Sequence, residues 1–401
     1  MLDYKYLVSI AIILLSTKIF GGLTEKIKLP QVVGALIAGV VIGPAVFGVV
    51  QDTAFLDEVA ELGVIILMFM AGLDTDLNQL KKKGVSYLVI AIFGVVIPLV
   101  GGFLSYFWYF NINPGDSQSV LKAIFIGVIL TATSVSITVE ALRELGHLTG
   151  KVGNAILGAA IVDDVIGIII LTVITSFRDS SISISVVLIK IVLYFVIMLV
   201  FGLIITAGAR MLDLKTDRRQ ITVYVFALVL IVAYISEKYV GIADITGAYL
   251  IGMIFSKFSI RNEIVKKMNV LSYLFFSPIF FASVGLKTKL DSFSTSMIVF
   301  SVIILFVAIF TKIVGAGIGA KLCKYSTKDS LNIGIGMVSR GEVALIVAQK
   351  GHKLGFIDNN MFSPIVLMVV ITTILTPILL KISMPKIKED KDVSLKPMTI
   401  E

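Results

Sequence analysis

Apolar runs of about 18–28 residues, separated by short charged or turn-rich loops, fill nearly the whole chain. At roughly 1.5 Å per helical residue, a run of that length spans the ~30 Å hydrocarbon layer of a bilayer. Thirteen spans are predicted: Tyr6–Gly22, Gln31–Val50, Val59–Leu73, Val85–Phe110, Val120–Leu142, Gly153–Phe177, Ile184–Ala209, Ile221–Ser236, Ile242–Ser256, Val270–Leu286, Met297–Lys321, Leu331–Gln349 and Pro364–Lys381. The first has the length of a signal sequence, but no small-residue cleavage pattern follows it, so it is expected to stay as a helix. Gly43-Pro44 breaks the second near its end, and Pro98 and Pro278 lie inside the fourth and tenth. Residues 384–401 are polar and charged and are expected to form a poorly ordered cytoplasmic tail.

Composition agrees with this pattern. The chain has 401 residues, 57% of them apolar and 15% charged, which excludes an ordinary water-soluble domain. The net charge of +8 does not point to nucleic acid, because Lys and Arg are spread through the loops and form no stripe with interleaved aromatics. They set topology instead. With the amino terminus outside, and with Lys122, Lys190, Lys321 and Lys381 counted with the segments their spans adjoin, the inner segments hold 23 Lys and Arg and the outer segments 9, while Lys18, Lys312 and Arg340 are left within spans. The positive-inside rule therefore favours an outer amino terminus and a cytoplasmic carboxyl terminus in a cell membrane. Cys323 is the single cysteine, so an intrachain disulfide and a thiolate metal cluster are excluded. His147 and His352 fall in separate loops, and no cofactor is expected. No loop pairs a nucleophile with a base, which argues against an enzyme.

An internal repeat runs at an offset of 213 positions. Gly34, Ala35 and Gly39 match Gly247, Ala248 and Gly252, and the stretch Gly72–Leu77 matches Gly285–Leu290. Six spans per copy, with the seventh between them, invert the second copy relative to the first. That is the plan of secondary transporters, whose substrate site lies at midplane between the copies. The predicted fold is an all-α integral membrane protein of about 13 transmembrane helices, an inverted repeat of two six-helix units with crossed discontinuous helices.

Asp163 and Asp164 stand side by side in the middle of the apolar sixth span. Carboxylates at that depth are costly, face a water-filled cavity or an internal partner, and mark ion or proton pathways. Adjacent like charges raise proton affinity, so the pair is expected to titrate as a coupled unit nearer neutrality than a free carboxylate. Such a pair can exchange protons for a cation; the alternative is that one Asp is a structural polar group bonded to a neighbouring helix.

The fifth and twelfth spans carry interruptions of the kind tolerated where backbone lines a cavity. The fifth contains Thr131, Thr133, Ser134, Ser136 and Thr138, hydroxyls that either face the site or bond back to their own helix. The twelfth contains Gly334, Gly336, Ser339, Arg340, Gly341 and Glu342, where an Arg340–Glu342 pair is expected to neutralise a helix break. Lys312 lies alone in the eleventh span. It requires a carboxylate, for which the Asp pair is the obvious source, or must snorkel to an interface.

The Asp163-Asp164 pair, the Ala132-Thr133-Ser134-Val135 run, Lys312 and Ser339-Arg340-Gly341-Glu342-Val343-Ala344-Leu345 together resemble the monovalent cation:proton antiporter-2 family, and its bacterial sodium/proton antiporters in particular. The resemblance covers the chain to about Lys381. It implies alternating access and homodimers, with a core at 85–177 and 297–381, a scaffold at 1–77 and 221–290, and a linker helix at 184–209, all within a membrane domain over 1–383. It implies Na⁺ at Asp164 and Asp163, with Asp163 alternating between the ion and Lys312, and Thr133 and Ser134 at the unwound crossing. Arg340, Glu342 and Ser339 would support that crossing. The paired carboxylates resemble the electrogenic branch. Potassium-efflux relatives often carry a nucleotide-binding regulatory domain, which is not expected here. K⁺ or NH₄⁺ in place of Na⁺ stays open at this point, as does, from another class, a cation channel or membrane sensor.

Overall fold

A computed structural model describes residues 4–27, 29–75, 77–176, 184–211, 218–287 and 295–384. Its regular elements are all helical: α1 (Lys5–Lys26), α2 (Gln31–Ile42), α3 (Ala54–Leu73), α4 (Leu77–Tyr109), α5 (Ser117–Thr131), α6 (Val135–Leu145), α7 (Lys151–Ser176), α8 (Ile184–Met211), α9 (Arg218–Ile235), α10 (Asp244–Phe255), α11 (Arg261–Leu271), α12 (Ser277–Leu286), α13 (Thr295–Leu322), α14 (Thr327–Gly336), α15 (Glu342–Lys353) and α16 (Asn359–Ser383). Single π-helical turns follow α9 at Ser236–Val240 and join α11 to α12 at Ser272–Phe276. Among the described residues, nine helical stretches are long and apolar enough to cross a membrane. The tail from 385 onward, Asp76 and residues 288–290 of the repeat lie outside the described residues.

Local chemistry sets several helix ends. The residue before a proline is pushed away from helical backbone, so α2 stops at Ile42 and Gly43 is extended, with ψ −177°. The second span is therefore a 12-residue helix followed by turns, shorter than the run to Val50 that hydropathy suggests. Pro278 does not interrupt a helix. It falls in the first turn of α12, directly after the π-helical turn at Ser272–Phe276, where the regular α-helical ladder is already interrupted. Thr53 caps α3 by accepting from Leu56 N at 3.3 Å, and Gly146, at φ +78°, ends α6 in the left-handed conformation.

Two close crossings join helices of the first half of the chain to helices of the second. A Cβ on Gly39 of α2 would run into the Ala282 carbonyl of α12, and one on Gly285 of α12 would meet Val40 N and Leu36 O at 2.5 and 2.6 Å. The same arrangement recurs between α3 and α10: the Cβ position of Gly72 lies 2.9 Å from Gly252 Cα, and that of Gly252 lies 2.9 Å from Gly72 Cα. Close backbone approach of this kind needs small residues, the usual device for packing helices in lipid. Elsewhere α4 lies along α13, and α5 and α7 pack on α4. Long rows of exposed apolar side chains remain on α8, including Leu188, Ile189, Val192, Leu193, Val196, Leu199, Leu203 and Ile204. Such a surface belongs against hydrocarbon.

Candidate functional site

α7 carries Asp163 and Asp164 as the thirteenth and fourteenth of its 26 residues. Successive helical residues point about 100° apart, so the two carboxyls leave the helix in different directions. Asp163 turns inward and is buried; Asp164 is partly exposed. The residues after it, Val165, Ile168 and Ile169, pack on the apolar cluster of α3, α8, α9 and α10. Asp164 thus sits where the α7 side of the molecule meets the α3–α10 side.

Asp163 has three polar contacts, from α13 and from the break between α5 and α6. Lys312 of α13 donates from Nζ to its Oδ1 at 3.1 Å and Oδ2 at 3.3 Å, and the Thr133 hydroxyl donates to Oδ2 at 2.7 Å. Lys312 Nζ makes one more bond, to the Thr131 carbonyl at 2.9 Å. Its side chain is 0% exposed, so it does not snorkel. An unpaired ammonium in that position would be costly; here every donor direction is used.

The Thr131 carbonyl is available because α5 ends there. Ala132 takes φ −56°, ψ +134° and Ser134 φ −96°, ψ +104°, both extended, before α6 starts at Val135. α14 stops likewise at Gly336 and α15 resumes at Glu342. The two breaks meet. Ser134 N donates to the Ser339 carbonyl at 2.8 Å, the Ser339 hydroxyl donates back to the Ser134 carbonyl at 2.6 Å, and Thr138 Oγ1 donates to the Gly336 carbonyl at 2.7 Å. Backbone groups freed at the two breaks thus find partners across the crossing, one in backbone and two in hydroxyls, as buried non-helical backbone at membrane depth must.

Each break also has a cation at the carboxyl end of its first half-helix, the negative end of the helix dipole. At α5 it is Lys312. At α14 it is Arg340, whose NH1 donates to the carbonyls of Met337 and Val338 at 3.3 and 2.9 Å and whose NH2 donates to Ala308 O at 3.3 Å. The guanidinium, 0% exposed, thus neutralises its break through carbonyls. The side chain of Glu342, the partner expected from sequence, lies outside the described residues.

Sequence reasoning passed over Thr372 and Thr373 of α16. Thr372 Oγ1 accepts from Arg340 N at 3.3 Å, and the Thr373 hydroxyl donates to the Arg340 carbonyl. The signal was present as adjacent threonines, with Thr376 one turn further, inside an apolar span. His352 Nδ1 lies 3.0 Å from the carbonyl of Ile357, and among the described residues no group of three His, Cys, Asp or Glu side chains could hold a metal ion.

Two cavities lie at opposite ends of α3, and the lining of neither includes Asp163, Asp164, Thr133 or Lys312. One, of about 350 Å³, is lined by Lys18, Gln31, Met70, Glu140, Arg143 and Glu144 among others. The other, of about 320 Å³, is lined by Asp57, Glu61, Glu237, Asp244 and Lys287 with apolar residues that include Val343 and Leu345 of α15. Four carboxylates against one lysine make the second cavity attractive to cations.

The family model for the transmembrane sodium/hydrogen exchanger matches residues 11–384. The chain belongs to the sodium/hydrogen exchanger family. It is 37% identical to the Na(+)/H(+)-K(+) antiporter GerN of Bacillus cereus, over 95% of this chain and 96% of that protein. It is 34% identical to the Na(+)/H(+) antiporter of Enterococcus hirae, over 93% of this chain and 96% of that one. Among solved structures, the sodium proton antiporter MjNhaP1 of Methanocaldococcus jannaschii at pH 8 superposes with a TM-score of 0.70 at 18% identity, covering 93% of this chain and 95% of that one. At that identity the likeness is one of fold. The exchanger family thus accounts for an all-helical chain with many spans, and membership makes the protein a transporter and not an enzyme.

Proposed function

We propose that the protein exchanges Na⁺ for H⁺ across a cell membrane by alternating access, with Asp164 as the main ion and proton carboxylate and Asp163 as its partner. The observation that carries the reading is the three-way contact of Lys312, Asp163 and Thr133 at a double helix break, with Asp164 beside it at the meeting of two packed units. A cation entering at Asp164 competes with protons there, and with Lys312 for Asp163. Crossing the low-dielectric barrier with bare carboxylates is costly, so the site moves loaded with either the metal ion or protons, and the two fluxes are coupled. Na⁺ here is cargo. Ser134, Ser339, Arg340 and Glu342 keep the crossing in shape. Release of more than one proton per Na⁺ makes the exchange electrogenic.

The same reading assigns 13 spans with the amino terminus outside and the carboxyl terminus in the cytoplasm. It adds the short helices α2 and α10, α3 and the α14–α15 pair to the nine long stretches, and the charge bias of the loops supports the orientation. The inverted repeat is supported by the crossings: an offset of 213 carries the Gly39–Gly285 contact onto Gly252–Gly72. Residues 85–177 and 297–381 form the moving core, 1–77 and 221–290 the scaffold through which two copies pair, and the helix at 184–209 links them.

Potassium is the second reading, favoured by the name of the Bacillus cereus relative, which includes K⁺. Purified protein in liposomes with an imposed pH gradient, given Na⁺, K⁺ and NH₄⁺ in turn with and without a membrane potential, separates the cases. Saturable Na⁺-driven proton flux that responds to potential is expected. Flux with K⁺ alone moves the assignment to potassium, and exchange without Na⁺-evoked current refutes the electrogenic form.

A further inference from the structure

Glu144 is placed against the electrostatics of its own helix. It lies in the last turn of α6, the negative end of the dipole, where an acidic residue is disfavoured. What holds it there is another helix. Its Oε2 accepts from Gln31 N at 2.6 Å and its Oε1 from Val32 N at 3.0 Å, the first amides of α2. The residue before them is Pro30, which offers no side-chain cap, so a carboxylate from more than 100 positions away supplies it. α2 itself is fixed on α1, since a Cβ on Gly34 would strike the Phe20 carbonyl.

The neighbouring residue makes a second bridge. Arg143, paired with Glu140 at 3.1 Å, has NH2 3.9 Å from Asp74 Oδ2 at the carboxyl end of α3. Asp74 is held in turn by Arg261 at 2.5 Å, and Arg261 Nε donates to Leu73 O at 2.7 Å. The two bridges run from α6 to α2 and to α3, both of which pack on α12, and Arg143 and Glu144 both line the 350 Å³ cavity. The opposite end of α6 is the helix break at Thr133 and Ser134. Eleven helical residues at 1.5 Å each put about 16 Å of stiff rod between the bridges and the carboxylate site. Any displacement of the break relative to the scaffold must therefore part these contacts or bend the rod.

We propose that Glu144 and Arg143 form a latch that clamps the end of α6 to α2 and α3, and that the latch opens and closes once in each transport cycle. The inference rests on the exchange reading above and adds to it the contact that holds one of the two access states. Charge pairs and an amide cap suit this role: they are exposed enough to rehydrate when parted, so opening costs little compared with tearing an apolar seam.

The test uses the full chain in liposomes, with Cys323→Ser as background and Gln31→Cys and Glu144→Cys joined by a short bis-methanethiosulfonate linker. Cross-linking is expected to lower Na⁺/H⁺ exchange at least about tenfold, with recovery on reduction, because one access state is locked. In a separate variant, Glu144→Gln is expected to change the ratio of the Na⁺ KM values measured from the two membrane faces by about threefold or more, since apparent affinity scales with the fraction of molecules in the competent state. Normal exchange in the cross-linked protein overturns the latch, as does an unchanged KM ratio. Loss of exchange in the reduced double-cysteine protein overturns it too, because a latch is dispensable to transport itself. Absence of exchange in the unmodified protein would instead remove the underlying reading.

Discussion

Lys312 Nζ holds both oxygens of Asp163, at 3.1 and 3.3 Å, with the two side chains 0% and 2% exposed. Removing one partner of a buried pair leaves an uncompensated charge, at a cost of about 3–5 kcal/mol, whereas replacing both is far milder. Lys312→Ala should therefore melt well below the parent in detergent, and Asp163→Asn combined with Lys312→Met should recover much of the loss. Equal melting temperatures for Lys312→Ala and the double variant would show that the stranded Asp163 carboxylate is not the source of the loss.

Asp164 is partly exposed whereas Asp163 is buried against Lys312, so Asp164→Asn should lower the melting temperature less than Lys312→Ala does. Na⁺-driven proton flux should be abolished. Thr133→Val, which removes one hydrogen bond from Asp163, should transport with reduced affinity, by about tenfold if the bond is worth ~1.4 kcal/mol. Flux assays on both variants check the assignment, and appreciable flux in Asp164→Asn would sink it.

Arg340 serves three carbonyls with a planar fork, which a lysine cannot reproduce. Arg340→Lys should cost about 1.5–3 kcal/mol for each charged hydrogen bond lost. Thr373→Val should cost less, since it removes a neutral donor. The order of melting temperatures, parent above Thr373→Val above Arg340→Lys, is the measurement.

The loop side of α14 should show a small acid dependence. Lys151 donates to Asp329 at 2.9 Å and holds its carboxyl below the ordinary value of 3.8, helped by the Ser326 hydroxyl. A lowered folded value means the contribution is complete above about pH 4 and disappears as pH falls through the folded value. The pair is largely solvated, so Asp329→Asn should lose no more than about 1 kcal/mol at neutral pH and still less in high salt. The gap between parent and variant melting temperatures should close on acidification.

Gly39→Ala and Gly252→Ala should be about equally damaging, because each new methyl meets a backbone carbonyl across an interhelical crossing, that of Ala282 or Phe69. Overpacking of this kind costs roughly 1–3 kcal/mol. Gly22→Ala, whose added carbon meets nothing within 4 Å, is the control. Folded yield after membrane extraction and thermal melting rank the three.

The sequence by itself determined the helical membrane class, because lipid leaves a long apolar segment no other way to satisfy its backbone. It also marked the Asp pair, Lys312 and the two polar interruptions, since charge and hydroxyls in hydrocarbon are too costly to be incidental. The residues alone left open which Asp meets Lys312, as that depends on the rotation of α7 against α13, and only the family resemblance pointed to Asp163. Nor could the sequence foresee that Arg340 would turn to carbonyls, that Thr372 and Thr373 would brace it, or that Glu144 would cap α2 across 112 positions. Those pairings join residues distant in the chain whose partners exist only once the helices cross, so tertiary packing alone decided them.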